Sequence, residues 1–476
     1  MDKPAKLASA NDSLVSFQTS HGVEIVATLL RVSRYQVAFE VYSPGVVLQM
    51  SEVLSDLSII LQNRQVYTGR AVVTNLVNTG TVLVCEANLG DFWVDAELTP
   101  TEGKANLHAG FTRFVEQWQK IYKILPEYKV IVADMQAFLT DLRLWVEQIE
   151  ISIRSSPSGD RVKLEQELAR ELGQSTTPAI TFLFEKFEDA AKLIPAELQP
   201  AHCTFARRQL HPILLCAPFL YRTFSKPLGY AGDYEMVNML ARDPCEGGSL
   251  FAKLLNLWFL EQPPAEAHRN RITYLAERIT EVTARAASNG KGVRILSLGC
   301  GPALEVQRLL REKAFSDRAH FTLLDFNEET LVHTETVLEG LKRTHHRTSQ
   351  FTYAKKSVNL ILKEGGKKIE RSPEQQYDFV YCAGLFDYLS DQLCHRLSNI
   401  LYEWVAPGGL LVTTNVDHSN PRRLTMDYLM EWHLIYRTGK ALAALKPDLV
   451  EADAFEVRSD MTGVNIYFAT RKPERT

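Results

Sequence analysis

The sequence predicts a multidomain chain: a small N-terminal β-barrel, a helical middle region and a C-terminal α/β domain with a doubly wound parallel sheet. Three changes of pattern support this prediction. From Gly22 to about Glu97, apolar residues alternate with period two, as in short antiparallel strands. From about Leu107 to Leu220 they recur at spacings of three and four, as in helices. From Lys291 onward, strand-like and helix-like segments alternate.

The composition argues against several classes of protein. The chain of 476 residues is too long for one core, and 45% hydrophobic with 23% charged residues is typical of globular domains. A net charge of −4 argues against a general nucleic-acid binder. No apolar run approaches the ~18 residues of a membrane span, and the start "MDKPAKLASANDS" lacks a signal core. We therefore expect a cytoplasmic protein.

The cysteines give no sign of a metal site. All seven are scattered along the chain and form no CxxC pair, which is typical of reduced thiols. We expect no bound metal.

The barrel is predicted over residues 1–104 and the helical region over residues 105–225. The barrel strands include "EIVATLLRV", "YQVAFEVYSP" and "TVLVCEANL", separated by Pro, Gly and Asn turns. In the helical region, "ELGQSTTPAI" predicts a break between two helices, because Pro178 suits the first turn of a helix.

Residues 226–290 are predicted to form a helical lid, and residues 291–476 the α/β core. The predicted strands of the core are "VRILSLG", "HFTLLDF", "QFTYAKKS", "YDFVYCAG" and "GGLLVTTNV". The last segment, "FEVRSDMTGVNIYFATRK", predicts an antiparallel hairpin.

A glycine turn and an acid indicate a nucleoside site. Gly299 and Gly301 follow an apolar strand, where they let the backbone turn sharply and approach a ligand. Asp325 closes the next strand, where a carboxylate can accept both hydroxyls of a ribose. A dinucleotide fingerprint fails, because Leu304 occupies its last small position. The spacing that holds is G-x-G-x-A, ending at Ala303, which favours S-adenosylmethionine (SAM).

Residues 291–476 resemble the class I SAM-dependent methyltransferases, whose Rossmann-like sheet ends in an antiparallel strand. The resemblance rests on the glycine turn, Asp325, "KKSV", "YDFVYCAGLFDYLSD" and "WVAPGGLLVTTNV", in that order. It implies SAM as the cofactor. The family often has an acid two residues before the first glycine, where this chain has Ser297. The implied cofactor-binding residues are Gly299, Cys300, Gly301, Asp325, Phe326, Ser357, Val358, Cys382 and Ala383.

Longer motifs resemble a narrower group. "KPLGYAGDYEMVNML", "FLEQPPAEAHRNRI", "SLGCGPALEV", "GLFDYLSD" and "WHLIYR" are similar to bacterial proteins of extracellular 3-hydroxypalmitic acid methyl ester biosynthesis. This resemblance implies a bacterial biosynthetic enzyme that forms a methyl ester.

The front domain resembles a PilZ-type barrel. Asp56 and Ser58 match its D-x-S-x-x-G element, but Leu61 replaces the glycine. The upstream arginines are only Arg31 and Arg34, one residue too close for the PilZ pattern. We therefore expect a PilZ-like barrel that does not bind cyclic di-GMP and instead serves docking, dimerisation or substrate presentation.

Candidates for the acceptor side lie in segments expected at the carboxyl edge of the sheet. "GYAGDYEMV" precedes the sheet and is expected to act as a lid. "MDYLMEWHLIYRT" predicts an aromatic helix whose His and Arg suit a carboxylate. The proposed catalytic residues are Tyr230, Asp233, His433, Tyr436 and Arg437. Further candidates are Arg269, Arg271, Asp387, Tyr388, Asn415, Asp417 and His418.

The sequence therefore predicts a SAM-dependent methyltransferase that acts on a small-molecule acceptor, a carboxylate or hydroxy acid. Two alternatives stay open: N-methylation of a peptide or amine in a biosynthetic pathway, and a non-catalytic sensor of SAM or cyclic di-GMP. The intact cofactor turn disfavours the sensor. Expected partners are a small-molecule or peptide substrate, no nucleic acid, and a second copy of the chain through the barrel or helical region.

Overall fold

A computed structural model describes residues 13–20, 22–42, 47–61, 64–78, 82–90, 112, 115, 124–153, 158–365 and 375–474. The chain forms two compact units. The first contains residues 1–124 and 195–204, and the second contains residues 125–194 and 205–476. The predicted boundary at residue 104 lies outside the described residues, and the four predicted domain ranges stay predictions.

The first unit contains the expected barrel. Six antiparallel strands close in the order β1-β2-β3-β6-β5-β4. Alternate side chains point inward, and the Phe17 and Phe39 rings meet in the core with centroids 5.1 Å apart. The strands are β1 (Leu14–Gln18), β2 (Glu24–Val32), β3 (Gln36–Val41), β4 (Val53–Leu61), β5 (Arg64–Asn78) and β6 (Leu83–Leu89).

The helices are α1 (Pro126–Ile153), α2 (Ser158–Lys192), α3 (Gln199–Leu214), α4 (Pro218–Ser225), α5 (Tyr234–Ala241), α6 (Leu250–Leu260), α7 (Pro263–Ser288), α8 (Leu304–Glu312), α9 (Glu328–His345), α10 (Val358–Gly365), α11 (Asp391–Trp404), α12 (Arg423–Leu429) and α13 (Gly439–Ala443). Within the described part of the chain, none is both long and apolar enough to cross a membrane.

The predicted helix break at Pro178 is wrong, because α2 continues through it. Proline in a helix interior costs about 3 kcal/mol, so packing must hold the helix together. On one side of Pro178, Gly173 lies so close to Leu257 of α6 that an added Cβ would approach its side chain to 2.8 Å. On the other side, the Phe184 and Trp258 rings have centroids 4.2 Å apart.

The C-terminal sheet confirms the predicted α/β class. Its seven strands have the order β12-β13-β11-β10-β7-β8-β9. The strands from β7 to β11 are parallel to their neighbours, whereas β13 is antiparallel to both β11 and β12. The strands are β7 (Val293–Leu298), β8 (Ala319–Asp325), β9 (Gln350–Lys355), β10 (Tyr377–Cys382), β11 (Val405–Val416), β12 (Phe455–Ser459) and β13 (Asn465–Arg471).

The predicted aromatic helix over residues 426–438 is wrong in its second half. Helix α12 ends at Leu429, and residues 431–438 are not helical. Two contacts explain the extended path: the Ile435 amide donates to the Asp387 carbonyl at 2.7 Å, and the Arg437 amide to the Val416 carbonyl at 3.2 Å. The segment therefore lies along the ends of β10 and β11.

Candidate active site

Residues with positive φ shape the turn after β7. Gly299, Gly301 and Ala303 have φ of 69°, 50° and 51°, a region that glycine enters without steric cost. The amides of Gly299 and Cys300 donate to the Leu324 carbonyl at 2.8 and 3.0 Å, which ties the turn to β8. A Cβ added at either glycine would meet no atom within 4 Å. The space in front of the turn is therefore open.

Asp325 ends β8 and faces this turn. Its buried carboxylate accepts hydrogen bonds from the amides of Gly301 at 3.2 Å and Asn327 at 3.0 Å. Burial raises the pKa of Asp325 to about 6, although these amides oppose the shift. The amide of Lys356, just after β9, donates to the Asp325 carbonyl at 2.8 Å. The ends of three neighbouring strands thus meet at one residue.

The other residues implied for the cofactor lie at the strand ends. Phe326 packs against the Tyr230 ring, with centroids 5.0 Å apart. Ser357 accepts a hydrogen bond from the Leu360 amide at 3.3 Å through its Oγ, just before α10 begins at Val358. The buried Cys300 and Cys382 thiols and the half-buried Ala383 follow β7 and β10. Burial raises the pKa of both thiols well above the usual range, so they remain neutral.

A buried carboxylate lies close to Ser297, although Ser297 itself replaces the family's acid. Ser297 pairs with Tyr381 across β7 and β10. The Tyr381 hydroxyl donates to Oε1 of Glu305 at 2.7 Å. Glu305 belongs to the first turn of α8, and burial raises the pKa of its carboxyl group. Sequence reasoning missed this residue, because the acid comes from the helix and not from the strand.

Arg271 of α7 lies against the end of β10. A Cβ added at Gly384 would come within 2.9 Å of its Nη2. Arg271 is buried, and its Nη2 donates to Nε2 of His268 at 2.5 Å. Burial, together with the charge of Arg271, holds the pKa of His268 well below its usual range, so the imidazole is neutral. In the part of the chain that the structure describes, no carboxylate lies within ion-pair distance of Arg271.

Arg271 and His268 also line a cavity of about 720 Å³, counting its open mouth. Its walls come from α4 to α7 on one side, and from α12, the ends of β11 and β13 and residues 430–434 on the other. Most of the lining is apolar, including Met236, Trp258, Phe259, Met426, Met430 and Trp432. A largely apolar cavity with few polar groups is the usual form of a small-molecule site.

Two of the proposed catalytic residues have structural contacts beside this cavity. Asp233 caps α5 by accepting from the Met236 amide at 2.8 Å, and it forms an ion pair with Arg222 at 2.8 Å. Tyr230 packs on Phe326, and burial raises the pKa of its hydroxyl well above the usual range.

Arg437 has no donor left for an acceptor carboxylate. Its five N–H donors bond to Asp391, the Phe386 and Leu389 carbonyls and Asn415, at 2.6 to 2.9 Å. Direct contact with an acceptor, as the sequence suggested, is therefore not supported. The guanidinium instead fixes the loop after β10.

The neighbours of Arg437 are also engaged within the protein. His433 lies 3.1 Å from Asp427, and Tyr436 packs under the Arg423 guanidinium, 4.7 Å from its ring centroid. The Trp432 indole donates to the Tyr388 hydroxyl at 2.9 Å.

The remaining candidates support the strand ends or face solvent. Asp387 accepts from the Val416 amide at 2.6 Å, and Asn415 donates to the Ile435 carbonyl at 2.9 Å. The exposed His418 pairs with the half-buried Asp417 at 3.0 Å. Arg269 donates to the Leu260 carbonyl at 2.8 Å. Among the described residues, no group of three His, Cys, Asp or Glu side chains is placed to hold a metal ion.

Sequence reasoning missed several cavity residues, including Trp258 and Arg422. Trp258 belongs to "LFAKLLNLWFL", which predicts only a buried helix. Arg422 lies in "NPRRL", which has no motif. Both can be recognised as cavity residues only from the folded structure, in which α6, α7 and α12 surround the cavity.

Part of the chain is similar to a known family of domains. Residues 267–446 match a family described as a methyltransferase domain. No curated protein matches the chain significantly. Solved structures similar to it include a possible exported protein from Bordetella parapertussis, with 19% identity over 53% of this chain and 86% of that one, and a TM-score of 0.39.

Two other similar structures are methyltransferases by description. Magnesium protoporphyrin IX methyltransferase from Synechocystis PCC 6803, with bound SAH, is 10% identical over 43% of this chain and 84% of that one, with a TM-score of 0.30. An O-methyltransferase family protein from Burkholderia thailandensis is 13% identical over 60% of this chain and 75% of that one, with a TM-score of 0.32.

The turn and its surroundings fit SAM. The open space before Gly299 and Gly301 allows a ligand to approach the backbone closely, and the buried carboxylate of Asp325 at this turn is the kind of acceptor that ribose hydroxyls need. The family match over residues 267–446 is a second observation, independent of this fit. The C-terminal part of the chain therefore contains a methyltransferase domain, over residues 267–446.

Proposed function

We propose that the enzyme methylates a carboxylate on a small molecule whose apolar part occupies this cavity, which yields a methyl ester. The position of Arg271 carries this proposal. Its guanidinium lies against Gly384, at the end of β10, and also lines the cavity. A buried cation without a carboxylate partner favours an incoming anion. The resemblance to 3-hydroxypalmitic acid methyl ester biosynthesis in bacteria also favours ester formation.

In the proposed reaction, the main task of the protein is to align the acceptor carboxylate with the methyl group of SAM. Bound SAM supplies an electrophilic methyl group. An ionised carboxylate is already a nucleophile and needs no general base, which agrees with a neutral His268 held by Arg271. Arg271 would orient the carboxylate, and the apolar walls would keep water from the reacting groups.

We propose cofactor contacts for the glycine turn, Asp325 and the other residues implied at the strand ends. Tyr230 is proposed to act beside the cofactor through its contact with Phe326. Asp233, His433, Tyr436 and Arg437 are proposed to position these elements without touching the acceptor. A homodimer contact, a PilZ-like role for the barrel and a cytoplasmic location stay predictions.

A methyl-transfer assay with tritiated SAM and a panel of apolar carboxylic acids tests the proposal. We expect a labelled product that releases volatile methanol in alkali, as methyl esters do and N-methyl products do not. Arg271→Met should lower kcat/KM for the acid by about tenfold or more and leave affinity for S-adenosylhomocysteine (SAH) nearly unchanged.

Arg278→Met is the matched control, because Arg278 is on the same helix but pairs with Glu281 at 2.9 Å. It should keep full activity. Alkali-stable label would favour the N-methyl alternative. Loss of SAH affinity in Arg271→Met would assign this residue to the cofactor and contradict its proposed role.

A further inference from the structure

The cavity contains a second buried guanidinium, that of Arg422, which the proposed reaction does not use. Arg422 directly precedes α12 and is 6% exposed. Its Nε donates to Oε1 of Gln262 at 2.8 Å, and its guanidinium carbon lies 5.8 Å from the Trp258 ring centroid. All three residues line the cavity. The head group is therefore held at the cavity wall.

The two terminal amino groups of Arg422 have no hydrogen-bond acceptor among the described residues. Glu188 and Glu185 both influence Arg422 through their charges, but among the described residues no ion pair joins either of them to it. The Glu188 carboxylate instead accepts from the amides of Leu424 at 3.1 Å and Thr425 at 2.7 Å, at the start of α12. Arg422 lines the cavity, and a guanidinium with donors left over at a largely apolar wall favours an incoming anion. A bound anion would satisfy them.

Arg422 and Arg271 reach the cavity at different places. Gln262, which holds Arg422, directly precedes α7, and Arg271 lies nine residues further along the chain. At about 1.5 Å per residue, these two positions lie roughly 13 Å apart along the helix axis. Between them, Pro264, Ala265 and Ala267 line the cavity with apolar surface. The wall therefore alternates cation, apolar stretch and cation.

We infer that the acceptor is a dicarboxylate, with an apolar body between the carboxylate that is methylated near Arg271 and a second carboxylate that Arg422 binds. This inference rests on the proposed function and narrows its substrate class. A monocarboxylic acid with a plain hydrocarbon tail would fill the apolar wall but leave the donors of Arg422 without an acceptor.

Calorimetry on the SAH-bound full chain tests the inference with matched pairs of straight-chain acids, such as decanedioate against decanoate and their shorter and longer homologues. In the native protein, one diacid should bind about tenfold or more tightly than its matched monoacid, the scale of a charged hydrogen bond. Arg422→Met should remove this preference. Arg422→Lys, which keeps the charge, should retain part of it.

Arg423→Met is the control, because the adjacent Arg423 is half-exposed and lies 3.8 Å from Asp427. It should keep the full preference. Equal affinity for diacid and monoacid in the native protein would overturn the inference. Equal weakening of both acids by Arg422→Met would also overturn it, since that result indicates a purely structural role. If Arg422→Met does not fold, Arg422→Lys decides the question: a reduced diacid preference with unchanged monoacid affinity would support the inference, and an unchanged preference would overturn it.

The control measurements separate this inference from the proposed function. Failure of SAH to bind the native chain would contradict the cofactor site. Normal SAH binding with no acid bound at any length would overturn both the dicarboxylate and the acceptor site. Tight binding and methylation of monoacids alone would leave the proposed function intact and overturn only the second carboxylate.

Discussion

The proposed cofactor edge and the proposed acceptor cavity are built from different parts of the polypeptide. At the cofactor edge, the contacts are mostly made by backbone: amides of the glycine turn donate to Leu324 and Asp325. In the cavity, side chains from Phe219 to Asn465 form the wall. A site made of backbone needs a few residues in fixed order, whereas a site made of side chains needs only suitable surfaces that meet. The first therefore tolerates few substitutions, and the second is tied to the stability of the core.

The largest effect is expected on stability, when a residue of the cavity wall is truncated. Trp258 is buried, packs on Phe184 and donates to Thr181 Oγ1 at 3.0 Å. Trp258→Ala should lower the free energy of unfolding by about 3–5 kcal/mol, because this cavity wall is also core. Urea denaturation would measure the loss. Trp145→Ala, at a 49% exposed position, should stay within about 0.5 kcal/mol; equal losses would contradict the argument.

Asp325→Ala should act on binding more than on folding. Removing the carboxylate should weaken SAH binding by about 1.5–3 kcal/mol, the scale of a charged hydrogen bond, and titration calorimetry would measure it. The exposed Asp453 offers a control, because Asp453→Ala should leave the affinity unchanged. Unaltered SAH affinity in a folded Asp325 variant would remove this residue from the cofactor site.

The raised pKa of Asp325 predicts a pH dependence of cofactor affinity. The pKa is about 6, and we expect SAH to need the ionised carboxylate as acceptor. As the pH falls through about 6, protonation should weaken binding, by up to roughly tenfold per pH unit. Above that range the affinity should be flat. Asp325→Asn should remove the step, and a native profile without a step would contradict the expectation.

Two glycines of similar backbone conformation provide a smaller and sharper comparison. Gly301 and Gly290 have φ of 50° and 67°, and a Cβ at either would meet open space. Alanine at each position should cost about 1–2 kcal/mol of unfolding free energy, because both force a side chain into the left-handed region. Only Gly301→Ala should weaken SAH binding. Equal weakening by both would indicate a general effect of strain.

The smallest effect is expected at the barrel. Leu61 replaces the glycine of the PilZ element, and Arg31 is already paired with Glu86 at 3.1 Å. Calorimetry with cyclic di-GMP should therefore show no binding of micromolar or better affinity. A measured affinity in that range would show that the barrel has a ligand site of its own.

The three-part fold and the candidate cofactor turn could be predicted because their signals are local. A strand of period two, a glycine turn and an acid at a strand end each depend on neighbours in sequence. The two errors came from local signals that tertiary contacts override. Pro178 stays inside α2 because α6 packs alongside it, and residues 431–438 are extended because Asp387 and Val416 bind their backbone.

The cavity could not be predicted, for the same physical reason. Arg437 has the charge that an acceptor site needs, but its donors are already bonded to the loop after β10, including the carbonyls of Phe386 and Leu389. Arg271 and Arg422 have the same charge, and no described carboxylate lies within ion-pair distance of either, because of where α6, α7 and α12 meet. Sequence identifies the residue type, and packing decides whether its donors remain available.

The place of β13 in the chain has a consequence for biosynthesis. Val464 and Asn465, at its start, close the cavity wall, and a ribosome adds Asn465 140 residues after Asp325. A nascent chain that ends between Val416 and Asn465 contains the glycine turn but leaves one edge of β11 unpaired and the cavity wall incomplete. An unpaired strand edge and an exposed apolar wall are features that chaperones and proteases bind, so the synthesis of β13 shortens the exposure of this domain to them.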